Sequence, residues 1–132
     1  MATTSIPGPD LVGPVRSPDG RYIAATTLLG DKLLLFDFSS QKWSELAETN
    51  VGSVNWSFDS KFIYFDNGFS SPQAIYRIGI SNRKIEEIAN LKDFRRVVNP
   101  WSTWFGITPD GDILLMHDTG SQEVYALDLE IP

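Results

Sequence analysis

"SPDGRYIA" occupies residues 17–24, "SFDSKFIY" residues 57–64 and "TPDGDILL" residues 108–115. Each copy opens on a turn phrase and runs into an apolar stretch. In the first copy Pro18 has its φ preset for the second position of a tight turn. Asp19 suits the third position, and Gly20 accepts a left-handed backbone. "TPDG" at 108–111 repeats that chemistry. The middle copy carries Phe58 and Ser60 in place of Pro and Gly, so a less well specified turn is expected there.

A second segment recurs in the same order. "FDFSSQKWSELA" (36–47) matches "IGISNRKIEEIA" (78–89), and "VYALDL" (124–129) matches "IYRIGI" (75–80). The offset is 40 residues for the first two turn phrases and 42 for the segments that follow. Strands of constant length joined by one variable loop produce such drift. After each turn come "RYIAATTL", "KFIYFDNG" and "DILLMHD", rich in β-branched and aromatic residues. A polar break follows, and then "KLLLFDF", "AIYRIGI" and "EVYALDL". "KWSEL" and "KIEEI" add a fourth strand to the first two units, and "VGPVR", "GSVNW" and "TWFGI" supply a first strand to each. Runs such as "KLLLF" and "ILLM" are apolar on both faces, the pattern of sheets covered on both sides. Four-stranded antiparallel units of about 40 residues that cover one another are β-propeller blades. An all-β fold is therefore expected. Residues 1–11 form a tail and 12–132 a partial propeller, with blades at about 12–48, 50–90 and 101–130, the third incomplete.

These phrases resemble the WD40-like (TolB-type) propeller repeats, in which W-S-P-D-G-K-x-I-A-F is followed by I-Y-x-x-D. Ser17-Pro18-Asp19-Gly20 with Ile23-Ala24, Trp56-Ser57 with Asp59 and Ile63, and Thr108-Pro109-Asp110-Gly111 carry the resemblance. Ile75-Tyr76, Val124-Tyr125, Asp37 and Asp128 carry its later strand. Arg16 and Ile107 stand where the family has an aromatic, which implies some difference in blade packing. The closing stretch 108–132 is also similar to the C-terminal end of propellers fused to bacterial winged-helix regulators or serine/threonine protein kinases. The resemblance implies a bacterial protein and allows a periplasmic one.

Known propellers have roughly four to eight blades. Three blades would leave two blade faces bare, and bare apolar faces are interaction or aggregation sites. The preferred expectation is a segment of a longer protein. A homodimer closing a six-bladed ring is close behind, and an open arc is the third possibility.

The formal charge of −6 and sequence pI near 4.6 argue against nucleic acid or an anionic membrane as the main partner. The apolar content of 42% is that of a globular chain, yet no run approaches the ~20 residues that span a bilayer. Membrane insertion is not expected. "MATTSIPGPD" has neither a basic nor an apolar region and reads as no secretion signal. There is no cysteine, so disulfides and thiolate metal sites are excluded.

His117, the only histidine, has no metal-like spacing to another ligand and reads as structural. Glu86 and Glu87 are strand neighbours pointing to opposite faces. Asp110 and Asp112 flank a turn. No hydrolase, zincin, dinucleotide or phosphate-loop motif occurs. The chain is therefore expected not to be an enzyme and to use no cofactor or metal. The one asymmetric feature is the long connection between units two and three, "NLKDFRRVVNPWSTWFG" (90–106). It concentrates Arg95, Arg96, Trp101 and Trp104 with Lys92 in an acidic chain, and Arg and Trp are enriched at binding hot spots. Those four are the candidate partner-binding residues; a crossover packed into the third blade is the alternative. Trp43 and Trp56 read as packing between blades. The expected role is a non-catalytic interaction module, binding a protein partner or itself. A propeller attached to a hydrolase or peptidase is the chief alternative, and a small-ligand or glycan binder using Trp101 and Trp104 is another.

Overall fold

A computed structural model describes residues 11–96, 103–117 and the strand 123–127, and every structural statement below concerns those residues. They form strands and turns, with no helix among them. The first sheet is an antiparallel meander of β1 (Leu11–Arg16), β2 (Tyr22–Thr27), β3 (Leu33–Asp37) and β4 (Lys42–Ala47). The second repeats it with β5 (Val54–Trp56), β6 (Phe62–Asp66), β7 (Ala74–Gly79) and β8 (Ile85–Asn90). The third holds β9 (Gly106–Ile107), β10 (Ile113–His117) and β11 (Glu123–Leu127). The repeat extends to irregularities. Register shifts between Leu33 and Leu34 against β4, and again between Ile75 and Tyr76 against β8, at matching positions.

The sheets are separate and stack through side chains, with the inner strands β1, β5 and β9 side by side. Side chains alternate along a strand, so each blade has two faces to cover. Ala24, Leu33 and Leu35 of blade 1 meet Ile63, Phe65 and Ile78 of blade 2 in one buried cluster. Tyr64 and Ile75 on blade 2's other face meet Phe105, Ile113 and Leu115 of blade 3 in a second. This double cover explains why "FIYF" is apolar without alternation. Trp56 ties the first pair of blades: it stacks on Tyr22 at 6.0 Å, and its Nε1 donates to the Val15 carbonyl at 2.9 Å.

Two expectations change. Blade 1's far face is not bare, because Ala25, Leu34 and Phe36 are buried there. Phe36 packs against Phe38 and Trp43 of its own blade, each at 5.1 Å, so the described packing of Trp43 lies within a blade. The middle turn is also as well built as the first. In both, the serine hydroxyl donates to the aspartate two residues on at 2.6 Å (Ser17 to Asp19, Ser57 to Asp59). The aspartate then accepts the backbone N–H of Arg21 or Lys61 at 3.0 Å. Serine and aspartate thus organise the turn, and Pro and Gly are dispensable. Ser60 takes the left-handed backbone (φ 64°) that Gly20 takes at 77°. Its side chain holds it there, accepting the Asp19 N–H of the neighbouring blade at 3.1 Å.

Candidate functional site

In an antiparallel meander the turn between second and third strands lies at the same end as the exit from the fourth. The β2–β3 turn, the β4–β5 connection and the β6–β7 turn therefore share one end of the stack. Residues 103–105, leading into β9, join them there. Together with the ends of β1 and β5 they enclose an open cleft of about 780 Å³. None of the described residues lining it is charged, although 21% of the chain is Asp, Glu, Lys or Arg.

Seven large hydrophobic side chains are exposed among the described residues, and five of them line this cleft. Leu28 and Leu29, at the tip of the β2–β3 turn, are 70% and 86% exposed, and Phe69 of the β6–β7 turn is 60% exposed. Val12 and Trp104 complete the set. Stray exposed hydrophobics are ordinary; here five of them share one cleft.

The cleft's polar side chains are largely engaged with the protein itself. Asn50 Nδ2 donates to Ser70 Oγ at 2.8 Å, Asn55 Nδ2 to the Phe105 carbonyl at 2.9 Å, and Asn67 Nδ2 to the Pro72 carbonyl at 3.0 Å. The Ser53 hydroxyl donates to the Thr103 carbonyl. The Asn55 and Ser53 bonds tie blade 2 to the segment entering blade 3, the Asn50 bond ties the β4–β5 connection to the β6–β7 turn, and the Asn67 bond closes that turn on itself.

Beneath it lies Asp66, the last residue of β6, fully buried. Its Oδ1 accepts the Thr103 hydroxyl at 2.8 Å and the backbone N–H groups of Gly68 and Ser53 at 3.0 and 3.2 Å. Its Oδ2 accepts Arg96 Nη2 at 3.0 Å, and the same nitrogen donates to the Trp104 carbonyl at 2.8 Å. The guanidinium is 2% exposed, and its Nε and Nη1 have no hydrogen-bond partner among the described residues. Gly52 passes so close that a Cβ there would lie 2.2 Å from Asp66 Oδ1 and 2.5 Å from Thr103 Oγ1. A buried carboxylate saturated by four donors is a joint, out of reach of a substrate.

The four candidate contact residues therefore separate. Arg96 turns inward to Asp66, because an arginine inside the protein needs its counter-charge. Arg95 stays exposed but does not line the cleft. Trp104 forms part of the cleft wall, and its carbonyl anchors Arg96. Trp101 lies outside the described residues. His117 stacks on Phe94 at 4.7 Å and bridges to Arg96 through the backbone. No group of three or more metal-ligating side chains occurs among the described residues. Asp66 and Leu28-Leu29 were not among the expected site residues. An acidic residue closing the run "FIYF", and two leucines on a turn tip, were the available signals.

At the opposite end of the blades the turns are charged. The Ser17 hydroxyl and the Arg21 backbone N–H hold the Asp19 carboxyl below its ordinary pKa, and Ser57 with the Lys61 N–H does the same for Asp59. Asp37 is lowered chiefly by the Ser39 hydroxyl and N–H.

No protein-family model matches the chain, and no curated protein sequence does. Solved structures do. TolB from Acinetobacter baumannii superposes with a TM-score of 0.65 at 20% identity, over 92% of this chain and 30% of its own. An oligogalacturonate lyase in complex with manganese gives 0.61 at 16% identity, over 91% and 35%. The acylaminoacyl peptidase of Pyrococcus horikoshii gives 0.55 at 14%, over 89% and 25%. The chain thus has a TolB-like β-propeller fold and spans about a third or less of each of these structures. The expectation that it is not an enzyme is corrected by the same finding. A lyase and a peptidase carry this fold, so the lack of a familiar catalytic motif does not set the chain apart from enzymes.

Proposed function

We propose that the chain is a three-blade segment of a larger propeller ring, and that its cleft-bearing face is the interaction surface of the complete protein. The observation that carries this reading is the gathering of Leu28, Leu29, Phe69, Trp104 and Val12 around an uncharged cleft. Burying that much apolar surface is the usual source of association energy, with aromatic anchors at its centre. The remaining blades come from a longer polypeptide or from a second copy. Light scattering separates the two, because a lone closed dimer has twice the 14.8 kDa of one chain. Fusion to a winged-helix regulator or kinase domain is one form the longer polypeptide takes in this proposal.

The test places a photo-crosslinking amino acid at position 69 or at position 85 of the protein in its own cell. Ile85 is comparably exposed but lies on the outer strand β8, away from the cleft. Adducts from position 69 and none from 85 support the reading; the reverse pattern refutes it. The second reading is a propeller that accompanies a hydrolase domain. The likeness to the peptidase structure supports it, and a hydrolase domain in the same reading frame would establish it.

A further inference from the structure

We infer that the cleft takes an uncharged, extended peptide segment of a partner protein that inserts bulky apolar side chains between the β2–β3 and β6–β7 turns. This rests on the proposed use of that face and adds the chemistry of what it meets. Charge is the first argument. An anionic or cationic ligand entering the cleft would lose hydration and find no counter-charge among the described lining residues. Hydrogen bonding is the second. A sugar needs many unengaged donors and acceptors, whereas the amide groups of Asn50, Asn55 and Asn67 already serve Ser70, Phe105 and Pro72. The surface left for a ligand is largely apolar: Leu28 and Leu29 on one turn, Phe69 on another, and Trp104 on the segment leading into β9.

Shape and backbone supply the third argument. The volume of about 780 Å³ falls within the range of ligand clefts. The inner strands β1 and β5 both reach it, and each is paired in a sheet on one side only. An extended peptide brings its own N–H and C=O groups to such an edge, and pockets between turns then read its alternate side chains. At Gly13 the strand bulges, with register shifting between Val12 and Val15 and nothing within 4 Å of a would-be Cβ. The approach to the backbone is open at that point.

The experiment uses a phage-displayed library of random dodecapeptides, selected on the full-length protein. Enriched peptides are then measured by fluorescence anisotropy against that protein and its Leu28→Ser/Phe69→Ser variant. Both side chains are largely exposed, so the variant should fold, and its circular dichroism is compared first. The expected result is enrichment of peptides without Asp, Glu, Lys or Arg that carry Leu, Phe or Trp at alternating positions. They should bind about tenfold more weakly to the variant, with affinity nearly unchanged between low and high salt. Peptides that need Leu28 and Phe69 but are charged and salt-sensitive would overturn the ligand class and leave the face intact. Peptides indifferent to the substitutions would overturn the face itself. No enrichment would overturn the peptide assignment, as would binding of maltoheptaose in its place. Conversion of a dimer to monomers by the substitutions would assign the face to a second copy.

Discussion

The joint between Asp66 and Arg96 gives the sharpest energetic test of how blades 2 and 3 are held together. Asp66→Ala removes the acceptor of four donors: Arg96 Nη2, the Thr103 hydroxyl, and the Ser53 and Gly68 N–H groups. It also strands a guanidinium that is 2% exposed. Leaving a buried charge unpaired costs about 3–5 kcal/mol, a large part of the 5–15 kcal/mol that typically stabilises a domain. Arg96→Leu is gentler. Asp66 keeps three donors, and the unpartnered Nε and Nη1 disappear from the interior, so about 1–3 kcal/mol is expected. In the double variant the stranded charge is gone, so Arg96→Leu should cost almost nothing in the Asp66→Ala background, against about 2 kcal/mol on its own. The resulting coupling is about 2 kcal/mol. Urea unfolding followed by tryptophan fluorescence measures all four proteins, with linear extrapolation to water. Additivity within about 0.5 kcal/mol would show that the two side chains do not share one buried joint.

Other consequences are simpler to check. Gly52→Ala forces a methyl group against Asp66 Oδ1 and Thr103 Oγ1 and should destabilise the chain by about 1–3 kcal/mol, seen as a lower urea midpoint. Trp56→Phe retains the stack on Tyr22 but loses the bond to the Val15 carbonyl, costing about 1 kcal/mol; Trp56→Ala should cost about 3–5 kcal/mol. Ser60→Ala keeps the left-handed backbone strain and loses the bond to Asp19, so it should be worse than Ser60→Gly, which relieves the strain. Asp19, Asp37 and Asp59 have carboxyl groups lowered in the fold. Their contribution is thus complete above the ordinary aspartate range and lost as pH falls through the lowered values, below about pH 4. Carboxyl NMR titration should show Asp19 moving up in Ser17→Ala and Asp59 moving up in Ser57→Ala.

Much of the fold was legible because blades are local. Each meander is built from consecutive strands, so turn phrases and apolar runs reveal it without long-range information. The two-sided apolar character of "KLLLF" and "FIYF" announced the stacking. The middle turn was misjudged because Pro and Gly were given more weight than serine and aspartate, and the hydrogen bonds show the latter two organising it. The site was far less legible. Arg96 and Trp104 stand eight residues apart and looked like one surface patch, but the guanidinium is drawn inward by Asp66, thirty residues earlier. Leu28 read as the tail of a strand and Leu29 belonged to no element; only the turn at Gly30 carries them to the rim. The enzyme question was misjudged for another reason: a fold hosts unrelated functions and enzymes share this one, so the lack of a linear motif decides nothing.

Face-to-face stacking of separate sheets is tested most directly by nuclear Overhauser contacts at Trp56. The account requires cross-peaks from its indole ring to the Tyr22 ring and from its Nε1 proton to Val15, alongside the β2–β3 and β6–β7 cross-strand contacts. Intact strand pairing within blades 1 and 2 with no contact between Trp56 and either residue would contradict it.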